Sequence, residues 1–504
     1  MAGPPWVSWL RGSSQSIHIE APRMLLEWAK EYGEVFKFHT ALGANTMYVG
    51  DLKGAAHVFA HYERTPFGRN IFRFFLGQGS GEALLTVEGA THRQQNPAFG
   101  TAELRKQTEV FVSKSNELVL IWKDILANST RTDGGATIDA FSWLNKVALD
   151  IIAIAGFNYD TNSLHATKEN PNELNTAARS LFDVSVSDPL FILQMVFPIF
   201  RFIPSQRMRV VRDAQNTIRR IGMRLIAEKK AAAASSATSA SSVRKNDIEG
   251  SDLLSLLIKA NIATDLPERS RMSDEDILAQ VPTFMVAGHE TTATVTTWGL
   301  FALSLAPRAQ ARLRDELRTI DTDTPTMDEL NGLSYLGMVV REILRLYPPA
   351  GATERYAPKD DVIPLDKPYT DKHGKVHHEI IVSKGDAIHI PYHSLQLSEE
   401  IWGHDAGEFR PERWESVPET AKQLPAVWGN LPVFAAGPHA CIGYRFALVE
   451  IKALLFAIVR AFSLRLAVSP SEVTRKTVVV MRPVLSTDPE KGPQLPLTIQ
   501  AVEA

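Results

Sequence analysis

Cysteine is almost absent. The 504 residues hold one, Cys441, which excludes an intrachain disulfide and any Cys-Cys zinc site. If sulfur does chemistry in this chain, Cys441 does it. A basic excess is missing too: 54 Lys plus Arg face 57 Asp plus Glu, a formal net charge of −3. No field exists to hold nucleic acid by counterion release, so nucleic acid is not an expected partner. The first thirty residues have no signal-peptide core, since Arg11, Glu20, Arg23 and Glu27 interrupt them. No run reaches the ~18 to 20 apolar residues that span a bilayer. The longest, Leu190 to Ile203 (LFILQMVFPIFRFI), is broken by Gln194, Pro198 and Arg201. It is expected to give peripheral membrane contact at most, with no transmembrane anchor in the sequence as written.

Hydrophobic residues make up 44% and charged residues 22%, ordinary globular values that exclude a disordered or collagen-like chain. One low-complexity segment, Ala231 to Ser242 (AAAASSATSASS), predicts a flexible internal loop at about 231–250. Composition and charge do not shift across it, so residues 1–504 are expected to form a single domain. Helical patterning runs from about residue 100 to 350, with β-prone runs at Thr46 to Val49 and Ile380 to Ile390. The expected fold class is mainly α with small β-sheets. Ser273 followed by Asp276 predicts a helix start, and the apolar stretch behind them ends at Ala306, before Pro307. Such a helix would be roughly 50 Å long at ~1.5 Å per residue. Its middle, FMVAGHETTATVTTW, is rich in poor helix formers around Gly288 and predicts a local distortion.

Three constellations carry chemistry. In FAAGPHACIGYRFALVEIKALLFAIV, Phe434 to Val459, Gly437 and Pro438 force a turn, and Gly443 precedes an apolar-periodic helix. Cys441 thus sits where a loop enters a helix N-terminus, and the dipole there favours the metal-binding thiolate. The competing reading is a buried, inert cysteine. In VVREILRLYPP, Glu342 and Arg345 lie three apart on a helix otherwise apolar at Val339, Val340, Ile343 and Leu344. Such a pair is either a minor surface contact or a buried one that needs further partners, with Arg413 of EFRPERW the candidate third member. Glu290 and Thr291, inside the long helix, are either polar residues on a solvated face or a buried acid beside a hydroxyl, which is a proton-delivery pair by type.

Together and in this order, these three resemble the cytochrome P-450 family closely. Phe434, Gly437, Cys441 and Gly443 meet its Phe-x-x-Gly-x-x-x-Cys-x-Gly signature, Glu342 and Arg345 its Glu-x-x-Arg, and Ala287, Gly288, Glu290 and Thr291 its Ala-Gly-x-Glu-Thr helix. Pro411, Glu412 and Arg413 match its third-arginine segment, and the resemblance runs from about Gly3 to the C-terminus, most like the fungal microsomal enzymes. It implies the cytochrome P-450 fold and a heme-thiolate monooxygenase carrying heme b, with Cys441 as the iron ligand. Glu290 and Thr291 would act on the distal side, stabilising dioxygen and passing protons to it. Glu342, Arg345 and Arg413 would lock the heme-binding core. Arg355 and His439 would face heme propionates, with His92 and Arg93 the donors left in the short stretch Gly89 to Phe99. Electrons would come from NADPH through a separate NADPH-cytochrome reductase, and the endoplasmic reticulum surface is the location the family implies. The chain departs from the family at His439, where Arg is usual, at Gly89 to Phe99, and in the absent N-terminal anchor.

A zinc hydrolase is the second reading, suggested by His289-Glu290 and by His57 and His61. It fails because Ala293 stands where the second ligand of that motif belongs. A heme-thiolate isomerase or dehydratase tends to lose the acid-Thr pair, which this chain keeps, and a helical binding module would not need a buried acid-base pair beside a thiolate loop. By family position the lining segments are Pro66 to Leu84, Leu181 to Pro204, Ala287 to Thr291, Ala350 to Ala352 and Val478 to Met481. They are rich in Phe, Leu, Val and Met, so a lipophilic substrate is expected: a terpenoid or other secondary metabolite, with a fatty acid or xenobiotic as the alternative.

Overall fold

The computed structural model describes residues 1–5, 24–40, 44–64, 83–87, 100–167, 172–182, 190, 193–194, 197–237, 252–262, 272–477 and 480–502. Helices dominate and the sheets are small, as the patterning predicts. The helices that frame the site are α1 (Leu52–His61), α2 (Ala140–Phe157), α3 (Gln206–Ala237), α4 (Asp274–Leu305), α5 (Ser334–Leu346) and α6 (Tyr444–Ala461). The largest sheet joins β1 (Val35–His39), β2 (Asn45–Val49), β3 (Glu63–Arg64), β4 (Thr353–Tyr356) and β5 (Ala387–Ile390) in the order β1-β2-β5-β4-β3. Its β2-β5 pair is parallel and the others antiparallel. A C-terminal hairpin pairs β6 (Val473–Thr477) with β7 (Met481–Leu485), Lys476 standing opposite Arg482. One cluster of buried apolar side chains runs from Val35 to Ile499 and draws on all six helices.

α4 is the axis of this core. Ser273 caps it, accepting the Asp276 N–H at 3.1 Å while Asp276 accepts the Ser273 N–H at 3.0 Å. Asp274, Glu275 and Asp276 place negative charge at the positive end of the helix dipole. The helix stops at Ala306, and Pro307 opens the next one. Its centre is buried almost all round, against α2 on one side and α6 on another. The distortion expected around Gly288 is not there: α4 is an unbroken helix from Asp274 to Leu305. Three of its threonines are satisfied within it: the hydroxyls of Thr283, Thr291 and Thr297 donate to the carbonyls four residues back at 2.9, 2.6 and 2.7 Å. Gly288 serves packing, because a Cβ there would lie 2.6 Å from Cγ1 of Ile152 on α2.

The segment at 231–250 needs a correction. α3 continues through Ala231 to Ala237, so the first half of the low-complexity run is helix, and 238–250 lies outside the described residues. Alanine carries no side-chain entropy cost and is the best helix former, so four of them behind a preformed helix extend it. The run Leu190 to Ile203 ends in a short 3-10 helix, Pro198–Phe202, where Ile199 is 72% and Phe202 89% exposed. α2 alone among the described helices is long and apolar enough to cross a membrane, and 67% of it is buried inside the protein.

Candidate active site

Cys441 is exposed, in the loop that enters α6. Its N–H donates to the Phe434 carbonyl at 2.8 Å, closing the loop over Ala435 (φ 57°) and Gly437 (φ 69°). Gly437 has no room for a side chain, as a Cβ would stand 2.3 Å from the carbonyl oxygen of Phe59 on α1. A residue other than glycine there would be strained in φ and blocked in space. Phe434 is buried, with Trp428 and Tyr444 against its ring at centroid distances of 5.9 and 6.0 Å. Gly443 is the N-cap of α6 and supplies no side-chain cap, so the positive end of that helix is presented to the Cys441 loop. His439 sits half-buried in the turn Gly437–His439.

The Glu342–Arg345 pair is fully buried and bidentate: Arg345 donates from Nε to Oε2 at 2.9 Å and from Nη2 to Oε1 at 2.8 Å. Arg345 also donates to the carbonyls of Gln396, Ala406 and Glu408 at 2.9, 2.5 and 3.1 Å. Glu342 accepts from the Arg410 N–H at 3.0 Å and from Trp414 Nε1 at 3.1 Å. Arg413 is the third member that the sequence suggests, its Nε lying 3.5 Å from Glu342 while Nη1 donates to Asp405 at 2.6 Å. That bond to Arg413 is the main force holding the Asp405 carboxyl below the usual carboxylate range. Each charge here has several partners, which is what tolerates it without water. Gln396 and Trp414 carry no sequence signal of this role, for they lie 51 and 72 residues beyond their partners on α5, and Asp405 meets Arg413 from eight residues before it.

Between Val281 and Leu303 every residue of α4 is buried except Ala287, Gly288 and Thr291. These fall at i, i+1 and i+4, one uncovered strip on an otherwise enclosed helix. Glu290 is buried and turned elsewhere. It is ion-paired with the half-buried Arg482 of β7. The expected acid-hydroxyl pair is thus adjacent in sequence but points about 100° apart around the helix, Thr291 to the strip and Glu290 to the hairpin. Nothing in the sequence links Glu290 with Arg482.

The hairpin base is clamped to the same helix. Trp298 Nε1 donates to the Met481 carbonyl at 2.7 Å, and the Met481 N–H donates to the Pro349 carbonyl at 2.9 Å. Arg475 lies over Trp298 and Tyr347, which stack at 5.0 Å, and donates to His393 Nε2 at 2.7 Å. Burial first, then the Arg475 charge, push the His393 imidazole down to about 3, so it stays neutral and accepts. Of the expected lining segments, Met481 thus meets Gly351 and reaches α4 at Trp298. Most of Pro66 to Leu84, much of Leu181 to Pro204, and Val478 and Val479 lie outside the described residues, as do His92 and Arg93. Arg355 on β4 is buried and donates to Thr353 Oγ1 and to the Glu354 carbonyl. On α6, burial raises the Glu450 carboxyl well above the usual range, the Thr292 hydroxyl pulling the other way. His57 contacts Asp361 at 2.8 Å, and among the described residues no group of three or more His, Cys, Asp or Glu could hold a metal ion.

Comparison with known proteins agrees with this geometry. The Cytochrome P450 family model matches residues 2–487. The chain belongs to the cytochrome P450 family. It is 46% identical to cytochrome P450 monooxygenase 205 of Postia placenta over 99% of this chain and 92% of that protein, and 44% identical to monooxygenase 128 of the same fungus over the same shares. Cytochrome P450 monooxygenase claO of Ampulloclitocybe clavipes is 34% identical over 100% of this chain and 93% of its own length. This P450 is accordingly a monooxygenase, an oxidoreductase that uses a heme cofactor, dioxygen and electrons from a partner reductase. Members of the family are often membrane-associated.

Proposed function

We propose that this P450 inserts one atom of dioxygen into a lipophilic small molecule, a terpenoid or other secondary metabolite, using heme b ligated by the Cys441 thiolate. The whole chain, 1–504, would act as one catalytic unit. The observation that carries the reading is the accessible Cys441, held by the Phe434 carbonyl at the open end of α6. The family's heme would bring its iron in a macrocycle and take the Cys441 sulfur as its protein ligand. The buried guanidinium of Arg355 and the imidazole of His439 suit its carboxylates. Bound heme supplies the reduction of dioxygen and the transfer of one oxygen atom.

The protein's own part is to place, dry and protonate. Thr291 offers a hydroxyl at the uncovered strip of α4, and Glu290 is the nearest acid along the helix. Glu342, Arg345 and Arg413 hold the segments that precede the Cys441 loop. Ala287, Gly288 and Gly351 present apolar surface, which favours a lipophilic substrate. NADPH-cytochrome reductase is the proposed electron donor. The exposed Phe197, Ile199, Phe202 and Ile203 are the proposed contact with the endoplasmic reticulum surface.

The reduced carbon monoxide complex should show the far-red-shifted Soret band of a thiolate-ligated heme, and Cys441→Ala should abolish it. A normal band in that variant overturns the ligand assignment. Product profiles from a panel of terpenoids and fatty acids test the substrate class; turnover confined to the fatty acids overturns the terpenoid reading.

A further inference from the structure

The C-terminal hairpin touches α4 at two heights. Met481 accepts from Trp298 and lies beside Gly351, where a Cβ would stand 3.4 Å from its sulfur, while the next residue, Arg482, reaches Glu290. Trp298 and Glu290 are eight residues apart on the helix, ~12 Å along its axis. One residue of β7 is therefore packed against the helix, and its neighbour holds the acid of the helix. Side chains alternate across a strand, so a displacement of the backbone at Met481 moves Arg482 with it.

We propose that Arg482 is the positioning residue for the Glu290 carboxylate, so that proton supply to Thr291 depends on where the C-terminal hairpin sits. This rests on the reading of Glu290 and Thr291 as the proton-delivery pair. The acid is buried, and Arg482 is the ion-pair partner the described residues give it. The guanidinium fixes where the buried carboxylate stands, and an acid that serves a neighbouring hydroxyl has to be held in one place. Thr291 meanwhile donates to its own helix at Ala287. Moving or removing Arg482 therefore displaces the Glu290 carboxylate from the place in which it serves Thr291.

The test is a double-mutant cycle of Arg482→Gln and Glu290→Gln in the heme-loaded enzyme, with NADPH-cytochrome reductase and 7-ethoxycoumarin as the lipophilic probe. The kinetic readout is the flux of NADPH electrons not recovered as hydrogen peroxide, and the second readout is the thermal unfolding midpoint. Arg482→Gln should lower that flux about tenfold through a misplaced acid, Arg482→Lys should recover most of it, and Arg482→Gln should add nothing once Glu290→Gln is present. The midpoints should be non-additive in the same sense, since the two residues share one contact. An equal loss with and without Glu290 overturns the proposal and leaves the acid's role standing. Wild-type flux in Glu290→Gln alone overturns the acid's role, and the proposal with it. Should Arg482→Gln not fold, Arg482→Lys goes through the same cycle, its smaller loss expected only when Glu290 is present.

Discussion

Two buried acids on core helices, Glu342 and Glu290, are each paired with arginine, yet their surroundings differ. Glu342 has both oxygens bound, to Arg345, to the Arg410 N–H and to Trp414, and Arg345 spends its remaining donors on three carbonyls. Glu290 has Arg482, from a two-stranded hairpin. In the first case every partner would have to leave together, and the desolvation penalty of a stranded charge forbids it. In the second the described residues give one ion pair. The same chemical pair is thus a lock where its hydrogen bonds are saturated and a latch where they are not.

The comparison can be broken most severely at the lock. Arg345→Met should cost about 3 to 5 kcal/mol, because it removes the bidentate partner of a fully buried Glu342 and leaves it only the longer contact to Arg413. Denaturant unfolding measures it, and a loss under 1 kcal/mol would mean the network is redundant. At the latch, Arg482→Gln should cost about 1.5 to 3 kcal/mol, the worth of a charged hydrogen bond, with the lost flux its more visible effect. Gly288→Ala should cost about 1 to 3 kcal/mol by pushing Ile152 off α4, and Ile152→Val in the same chain should recover part of it. Smaller still is the pH effect of Glu450. Its folded-state pKa is raised, by burial above all, so its contribution to stability is present at pH below the carboxyl's ordinary range and is lost as pH rises through the raised value. Glu450→Gln should therefore flatten the fall in unfolding temperature between pH 5 and pH 8, and an unchanged slope would show that the carboxyl is already ionised.

The locks were legible and the latch was not. Cys441, Phe434, Gly437 and Gly443 fall within ten residues, and their turn, cap and helix follow from local rules. Glu342 and Arg345 share one helical face, so their apolar neighbours already told of burial. Arg413 could be suggested from its own Pro-Glu-Arg segment, but Asp405 and Trp414 could not, since no pattern ties Asp405 to Arg413 or Trp414 to α5. The low-complexity run misled because composition alone does not distinguish a polyalanine helix end from a loop. Glu290 and Thr291 were read as a pair on their adjacency, whereas helical geometry turns consecutive side chains to different neighbours.

What the amino-acid sequence determined by itself is whatever depends on short separations: the capped and terminated α4, the glycine turn before Cys441, the mainly helical class and the single available sulfur. Only the tertiary structure decided that Thr291 looks into the open strip while Glu290 looks at Arg482, and that the buried guanidinium of Arg345 is closed by carbonyls from the loops around Gln396 and Ala406. Those partners lie far off along the chain, and a charge out of water accepts whichever donor the packed core brings within reach, a choice set by the shape of the whole molecule and by no local pattern.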